Sequence, residues 1–166
     1  MNHKSVDIVI CGGGIAGLVA AAALGHAGFS VLLVDPTPPV ISDQEPGADM
    51  RSTAYLQPAY KLFNDIGLWD TLAPFSVPLV ALRIVDTIGD PAHIRDERLF
   101  RADDIGDQPF GWNFPNWVTR RELLSYLARQ TNIELQFGVG FRSMVTRTTG
   151  AIVTLDDGVI VRARMV

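Results

Sequence analysis

The first part of the chain alternates between short apolar runs and a segment with helical character. Residues 6–10 are mostly apolar, and residues 31–34 form a second apolar run. Between them, residues 15–27 are rich in alanine and leucine and are followed by Gly28. A short, continuous apolar run is typical of a strand that is buried on both faces of a sheet. The pattern therefore predicts a strand, a helix and a second, parallel strand.

The next segments predict a loop and a long helix. Residues 36–50 are rich in proline, aspartate and glycine, which is typical of a loop. Residues 51–72 have apolar positions at helical spacing, and Ser52 or Thr53 could cap a helix that begins there. The apolar face of this predicted helix consists of Leu56, Ala59, Leu62, Phe63 and Ile66.

The pattern then becomes rich in β-strand signals. Residues 77–89 predict a strand, and residues 97–106 contain a second candidate. Residues 107–117 are rich in proline and aromatic residues and predict a loop, followed by a helix over 120–131 and a strand over 133–138. We expect the aromatic side chains of the loop to pack in the core rather than line a substrate pocket. They are Phe110, Trp112, Phe114 and Trp117.

The last part of the chain predicts an antiparallel β-meander. Apolar and polar residues alternate over residues 139–147, 151–156 and 159–165. Gly150 is expected to form the first turn, and the pair Asp157-Gly158 predicts a two-residue hairpin at the second. Because such tight turns join antiparallel neighbours, these strands are expected to form an antiparallel layer separate from the parallel strands.

Candidate chemistry is concentrated in the glycine-rich break after the first strand. The residues read Gly12-x-Gly14-x-x-Gly17. The first glycine permits a sharp turn, the second lets a phosphate approach the backbone, and the third, with Ala21, lets the helix pack closely on the sheet. The backbone amide of Ile15 lies at the start of the helix, where the helix dipole attracts anions. This arrangement predicts a phosphate-binding turn.

Asp35 completes a dinucleotide-binding pattern. It follows the second apolar run, where a carboxylate can accept hydrogen bonds from a ribose diol. A glycine-rich turn with no ligand does not account for an acid at this position. The competing interpretation, a secretory signal, fails because Asp7 lies inside its apolar core and three glycines interrupt that core.

Composition excludes several classes of function. The chain has 166 residues, of which 48% are hydrophobic, so it can bury a sizeable core. Its net charge of −4 and the absence of a basic run argue against nucleic acid as a partner. The single cysteine, Cys11, has no partner for an internal disulfide or a metal cluster, and it is expected to be a small buried apolar residue. A cytoplasmic protein with no metal site and no membrane span is predicted.

Three stretches carry a resemblance to a known family. They are GGGIAGLVAAAALGHAGFSVLLVD (12–35), DMRSTAYLQPAYKLFNDIGLWDTL (49–72) and VTRRELLSYL (118–127). Together they resemble the N-terminal part of the FAD-dependent aromatic hydroxylases, which share the fold of p-hydroxybenzoate hydroxylase. The second stretch most resembles the hydroxylases of ubiquinone biosynthesis.

The resemblance implies a set of residues that contact FAD. Gly12, Gly14 and Gly17, with Ile15 and Ala16 at the helix start, would hold the pyrophosphate.

The remaining implied contacts involve an acid and two arginines. Asp35 stands where the family usually has glutamate and would bind the adenosine ribose, either more loosely or through water because aspartate is shorter. Arg51 would reach the flavin side of the cofactor. Arg120 matches the arginine of an Arg-x-x-Leu-x-x-x-Leu helix near the FAD, and the adjacent Arg121 is the alternative in this register.

The fold implied is α/β: a Rossmann-like FAD-binding domain with a parallel central sheet and an antiparallel β-meander, plus part of a β-rich substrate domain. The FAD-binding domain would comprise residues 1–78 and 112–166, with a substrate-domain segment at 79–111. The family has a second flavin motif, Gly-Asp, directly after a strand like that of residues 159–165, so we expect the chain to be the truncated N-terminal portion of a longer protein. Alone, it is expected to be inactive.

The resemblance also implies an activity and its partners. The parent would be a monooxygenase that uses NAD(P)H as electron donor and O₂ to hydroxylate an aromatic quinone precursor. It could associate peripherally with a membrane or form a homo-oligomer. No catalytic acid or base is identified, because His3, His26 and His93 are poor candidates by position.

Two other classes remain open at this stage. One is a different FAD enzyme built on the same first half, such as an amine oxidase or a geranylgeranyl reductase. The other is a non-enzymatic protein of the flavin fold, such as a GDP-dissociation inhibitor. The intact glycine motif and Asp35 argue against the second class.

Overall fold

The computed structural model describes residues 3–106 and 109–166. In this part of the chain the strands are β1 (His3–Cys11), β2 (Val31–Asp35), β3 (Ser52–Leu56), β4 (Val77–Leu79), β5 (Ala81–Ile88), β6 (His93–Arg101), β7 (Gly111–Pro115), β8 (Ile133–Phe137), β9 (Phe141–Arg147), β10 (Gly150–Leu155) and β11 (Ile160–Met165). The α-helices are α1 (Ile15–His26), α2 (Gln57–Asp65), α3 (Trp69–Leu72) and α4 (Asn116–Leu127), and two 3₁₀ helices span Ala73–Phe75 and Ala102–Ile105.

The main sheet has six strands in the order β8-β2-β1-β11-β10-β9. The first four strands in this order are parallel to one another, and β9, β10 and β11 are paired antiparallel. The α/β fold with a parallel sheet led by β1 and flanked by β2 is therefore confirmed. Its physical basis is visible in β2, where Val31 and Leu33 pack in the core on one face, and Leu32 and Val34 pack on the other.

The antiparallel meander of β9–β11 is not a separate layer, and this prediction was wrong. β11 pairs in parallel with β1, so hydrogen bonds run without interruption from the parallel strands into the meander. Buried side chains of the meander line the second face of the sheet, since Val153 and Val161 belong to the same core cluster as Val9 and Leu32. Strand β11 belongs to both regions because its two edges have different partners, which the turn signals of the sequence do not reveal.

Helices α1 and α4 pack against each other on the first face of the parallel strands. Small residues of α1, Ala21 and Ala22, are fully buried there, so the helix axis can approach its neighbours closely. Leu123 and Leu127 of α4 are buried in the same core. The predicted helix over 120–131 begins four residues earlier than expected, at Asn116, as the bounds of α4 show.

The predicted helix over residues 51–72 is divided in the structure. Residues 52–56 form strand β3, which pairs antiparallel with β7. The helix α2 begins at Gln57, where Pro58 occupies a first-turn position that suits proline. Ser52 and Thr53 therefore cap no helix, because pairing with a strand distant in sequence outweighs the local helical spacing.

The aromatic segment before α4 is partly a strand rather than a loop. Gly111–Pro115 form the central strand of the sheet β3-β7-β4. Phe114 is fully buried in the core and Trp112 packs against it, in agreement with the expected packing role. Residues 107 and 108, at the start of the predicted loop, lie outside the described residues.

The strand predicted over 77–89 is two strands in different sheets. β4 pairs with β7, whereas β5 forms a two-stranded hairpin with β6. Every residue of β5 is exposed, and β6 begins four residues before the candidate segment 97–106 and ends within it, at Arg101. The hairpin presents apolar side chains to solvent, including Leu82, Ile84, Ile88, Ile94, Leu99 and Phe100.

Both predicted turns of the meander are present, with a difference at each. The first turn consists of Thr148 and Thr149 and does not include Gly150. Gly150 begins β10 immediately after the first turn. At the second turn, Leu155 N–H donates to the Val159 carbonyl (2.9 Å), which encloses three residues rather than two. The Asp157 carboxylate accepts the Val159 N–H (2.9 Å) and braces the turn.

Two buried tyrosines are expected to differ in how much stability is lost when their hydroxyl group is removed. The Tyr126 hydroxyl donates to the Ile66 carbonyl (2.9 Å), which joins α4 to the end of α2. The Tyr55 hydroxyl is buried near the Thr119 side chain, but it makes no hydrogen bond of ordinary length to that residue or to any other that is described. We expect Tyr126→Phe to lower the free energy of unfolding by roughly 1 to 3 kcal/mol, since it leaves a buried carbonyl unpaired. Urea unfolding measures the change.

Tyr55→Phe is the matched control for that substitution. It removes the same atom from the same core, but it breaks no hydrogen bond, so the free energy of unfolding should stay unchanged or rise. Equal losses of stability in both variants would show that the Tyr126 hydrogen bond contributes nothing specific.

Candidate functional site

The glycine turn lies between β1 and α1, at the carboxyl edge of the parallel strands. Gly12 N–H donates to the Val34 carbonyl (2.8 Å), and Gly12 has φ +121°, a conformation that favours glycine. A Cβ atom on Gly17 would lie 2.0 Å from the Gly12 carbonyl oxygen. The first turn of α1 therefore passes directly against the turn, which no larger residue at position 17 would allow.

Gly14 leaves an open space in front of α1. It is exposed, and a Cβ atom built on it meets no heavy atom within 4 Å. It provides no side-chain cap, and the intrahelical bond from Leu18 N–H to the Gly14 carbonyl (2.9 Å) leaves the amides of Ile15, Ala16 and Gly17 without partners within the helix. Free amides with the positive end of the helix dipole make this a site for an anion.

Asp35 lies beside this turn and braces it. Its Oδ2 accepts the Gly13 N–H (2.6 Å) and its Oδ1 accepts the Thr37 N–H (2.7 Å). The sequence predicted a ribose contact for Asp35 but did not reveal the bond to Gly13, which depends on the side chain reaching from the end of β2 to the turn that follows β1. An ionised carboxylate can accept about four hydrogen bonds, so capacity remains for a ribose hydroxyl.

Arg51 and Arg120 meet at a second cluster, which is centred on Asp49. Arg51 donates from Nε to Oδ1 (2.8 Å) and from Nη2 to Oδ2 (3.0 Å) of Asp49. Arg120 Nη2 lies 3.4 Å from Oδ2 of the same carboxylate. Arg51 was expected at the entry of a helix, but in the structure it directly precedes strand β3. The structure thus brings together two arginines that are 69 positions apart in the chain.

Asn116 completes the Asp49 cluster from the first residue of α4. Its Nδ2 donates to Asp49 Oδ2 (2.9 Å), its Oδ1 accepts from the Thr53 hydroxyl (2.6 Å), and its backbone N–H donates to the Arg51 carbonyl (2.9 Å). No sequence pattern singles out Asn116. Asp49 is the first residue of the stretch 49–72 that carries the family resemblance, but the resemblance implies no role for it.

Hydrogen bonds from Arg51, followed by the one from Asn116, hold the pKa of the Asp49 carboxyl well below its usual range. A lowered folded-state pKa contributes stability above the unfolded value, about 4, and this contribution is lost as the pH falls towards the folded value. Asp49 therefore stays ionised, and the cluster intact, at any pH near neutrality.

The two adjacent arginines of α4, Arg120 and Arg121, have different partners. The Arg121 guanidinium lies over the rings of Phe75 (5.0 Å) and Trp117 (5.1 Å), and its Nε donates to Glu122 (2.7 Å). Arg121 is therefore engaged away from Asp49. Arg120 is the arginine that joins the cluster with Asp49.

Chain topology puts the Asp49 cluster and the glycine turn at the same edge of the sheet. Helix α1 leaves β1 at its carboxyl end and leads to the start of β2. Helix α4 leads to the start of β8, which pairs in parallel with β2. Both twelve-residue helices thus run towards the amino ends of the strands, and both begin at the carboxyl edge. This edge is where α/β sheets bind ligands.

These residues fit a dinucleotide such as FAD. The open space at Gly14 and the free amides behind it suit a pyrophosphate. The Asp49 cluster has two guanidinium groups for one carboxylate, and Arg120 Nε is buried with no hydrogen-bond partner in the described part of the chain. The site therefore combines donors with surplus positive charge, as an anionic cofactor requires.

Other candidate residues lie apart from this arrangement. His26 lies in the last turn of α1, at the opposite end of the helix from the glycine turn, and His93 begins strand β6 in the exposed hairpin. Cys11 is exposed at the end of β1, so the expectation that it is buried was wrong. The structure brings no three histidine, cysteine, aspartate or glutamate side chains together within residues 3–106 and 109–166. None of the helices described is long and apolar enough to cross a membrane.

Comparisons with known proteins agree with the cofactor that this geometry favours. Residues 7–44, which contain the glycine turn and Asp35, match the FAD binding domain family. Curated relatives that align over nearly the whole of this chain are named as hydroxylases. It is 32% identical over 163 residues to the ubiquinone hydroxylase UbiL from Rhodospirillum rubrum, an alignment that covers 98% of this chain and 36% of that relative.

A second relative acts on a different aromatic compound. The chain is 32% identical over 161 residues to a 3-(3-hydroxy-phenyl)propionate/3-hydroxycinnamic acid hydroxylase from Mycolicibacterium gilvum, which covers 95% of this chain and 26% of that relative. The chain thus spans 36% of the length of the first of these curated relatives and 26% of the second.

Among solved structures, the chain superposes on the flavin-dependent monooxygenase PieE, whose structure contains FAD and substrate. The TM-score is 0.72 with 23% sequence identity, over 97% of this chain and 29% of PieE. At this identity the similarity establishes the shared fold.

Proposed function

We propose that the full-length protein is an FAD-dependent monooxygenase that hydroxylates an aromatic ring. The observation that carries this proposal is the open, uncapped start of α1 at Gly14, beside Asp35 and on the same edge as the Asp49 cluster. It is supported by the match of residues 7–44 to the FAD binding domain family and by relatives that are named as hydroxylases.

In this proposal each part of the site has a distinct task. The amides at the start of α1 bind the pyrophosphate, and Asp35 both braces the glycine turn and accepts a ribose hydroxyl. Arg51 and Arg120 provide positive charge near the cofactor. Bound FAD would supply the redox chemistry of the hydroxylation, for which NAD(P)H provides electrons and O₂ the oxygen atom. The residues of this chain bind and orient the cofactor rather than act as acid or base.

The substrate class we propose is a polyprenylated quinone precursor of ubiquinone biosynthesis. Support comes from the relative UbiL, which aligns over nearly the whole chain, and from the resemblance of residues 49–72 to that group. A polyprenylated substrate partitions into lipid, so we expect peripheral association of the parent with a membrane. Residues 79–111, which include the exposed hairpin β5–β6, are proposed to belong to the substrate domain.

A flavin spectrum and a substrate-stimulated turnover assay of the full-length protein test this proposal. We expect a yellow protein that oxidises NADH or NADPH faster when a polyprenylated phenol is added, with a product one oxygen atom heavier. Stimulation by 3-hydroxyphenylpropionate alone would retain the hydroxylase and replace the substrate class. Absence of bound flavin, after reconstitution with FAD, would contradict the whole proposal.

Asp35→Ala should weaken FAD binding without abolishing it. The substitution removes an acceptor for the ribose and also the bond to Gly13 N–H, so we expect a loss of about 1 to 3 kcal/mol in binding free energy. Titration of the apoprotein with FAD, followed by flavin fluorescence, measures this loss. Asp43→Ala is the control, because Asp43 lies in an exposed loop and, among the described residues, accepts only from the Gln44 side chain (3.3 Å). Equal affinity of the Asp35→Ala and Asp43→Ala proteins would exclude a role for Asp35 at the site.

A further inference from the structure

Asp49 is the shared partner of two arginines that come from separate parts of the chain. Its carboxylate accepts from the Arg51 guanidinium at two positions (2.8 and 3.0 Å) and from the Arg51 backbone N–H (3.2 Å). Arg120 approaches the same carboxylate at 3.4 Å, and Asn116 donates to it at 2.9 Å. Three neighbouring side chains therefore have their positions set by one acid.

The Asp49 and Arg51 side chains differ strongly in their exposure to solvent. The Asp49 side chain is 11% exposed, whereas that of Arg51 is 83% exposed. Without the carboxylate, nothing in the described contacts would hold the Arg51 guanidinium, which would then have the rotamer freedom of a solvated arginine. This partly buried acid therefore orders an arginine that otherwise faces solvent.

The charges leave the cluster able to bind an anion. One carboxylate is shared by two guanidinium groups, so a net positive charge remains. The Arg120 Nε is buried and lacks a hydrogen-bond partner in the part of the chain that is described. The cluster also lies at the start of α4, where the helix dipole adds positive potential. Asp49 thus orders the arginines without neutralising them fully.

We infer that Asp49 is a positioning residue, which holds Arg51 and Arg120 in place for the anionic cofactor before it binds. This inference rests on the proposed function, namely that this edge of the sheet binds FAD. Its physical basis is preorganisation: side chains that are already ordered lose less freedom when the ligand arrives. The opposing interpretation is that Asp49 competes with the cofactor for the arginines. It makes the opposite prediction for affinity.

The primary test is the FAD affinity of the full-length apoprotein with Asp49→Asn, measured by quenching of flavin fluorescence. Asparagine is similar in size and retains one acceptor oxygen, but it cannot bind two guanidinium groups as a carboxylate does. We expect the dissociation constant to rise roughly ten- to a hundredfold. Asp65→Asn is the matched control, since it makes the same change of charge in an exposed pair with Lys61 (2.9 Å). It should leave the affinity unchanged.

A double-mutant cycle separates positioning from a general structural role. If Asp49 acts through Arg51, then Asp49→Asn should have a much smaller effect on affinity in an Arg51→Gln protein than in the wild type. Arg51→Gln alone, which keeps Asp49 and its bond to Asn116, provides a reading even if Asp49→Asn folds poorly. Additive effects in the cycle would overturn the inference.

Two further outcomes are decisive. Unchanged or tighter FAD binding by Asp49→Asn would overturn the inference, and tighter binding would favour competition instead. If the wild-type apoprotein binds no FAD at all, the proposed function itself fails. Wild-type binding that is lost in Gly14→Val but unchanged in Asp49→Asn would retain the FAD site and reject only the role of Asp49.

Discussion

Gly14→Val is expected to abolish FAD binding by the full-length protein while leaving its fold intact. Gly14 has φ −69°, which any residue can adopt, and a Cβ atom there meets no heavy atom within 4 Å. The protein itself therefore accommodates valine. The branched side chain would occupy the space through which the pyrophosphate reaches the amides of α1. Flavin absorbance of the purified protein and FAD titration of the apoprotein measure the loss.

Ala27→Val is the control at the other end of the same helix. Ala27 is exposed at the C-cap of α1, so this substitution adds a branched side chain without entering the site. It should bind FAD as the wild type does. A Gly14→Val protein that keeps a normal flavin spectrum would show that the phosphate assignment is wrong.

Gly17→Val should have the contrasting effect and destabilise the fold itself. A Cβ atom at position 17 would lie 2.0 Å from the Gly12 carbonyl oxygen and 3.1 Å from the Gly12 carbonyl carbon. Backbone atoms cannot move aside as a flexible side chain can, so α1 would have to shift away from β1. We expect the free energy of unfolding to fall by several kcal/mol, on the order of 3 or more. Denaturant unfolding followed by circular dichroism measures this change.

The two glycine substitutions control each other. They introduce the same side chain at positions three residues apart, both at the start of α1. The stability of each variant can be measured with and without FAD. Gly14→Val should match the wild-type apoprotein in stability, and Gly17→Val should be destabilised even without cofactor. Comparable stability of the two apoproteins would contradict the close packing of α1 on the glycine turn.

Local pattern determined the first unit of the fold. The apolar run of β2 could be predicted because both faces of this strand are buried, which requires apolar residues at its first four positions, Val31–Val34. The apolar run of β1 could be predicted in the same way. The glycine spacing and Asp35 could be predicted for a similar reason, since the turn and the helix start are built from residues adjacent in sequence. Only the bond between Asp35 and Gly13 was missed, because it joins the end of β2 to the turn that follows β1.

Non-local pairing decided the elements that were predicted wrongly. Residues 52–56 have helical spacing and yet form a strand, because β7, more than fifty positions away, pairs with them along their whole length. The same pairing converts part of the aromatic segment into β7. In a similar way, β11 is an antiparallel strand on one edge and a parallel strand on the other, which joins two regions that turn signals alone would separate.

In the candidate site, too, some features follow from local sequence and others from tertiary packing. By itself, the sequence determined the glycine turn, the positive helix start and the acid after β2, because each depends on neighbouring residues. Only the tertiary structure brought Asp49, Arg51, Asn116 and Arg120 together, since they come from a loop, a strand entry and a helix that meet through β3 and β7. Charge and hydrogen bonding between residues so distant in the chain depend on that packing, and no local pattern encodes it.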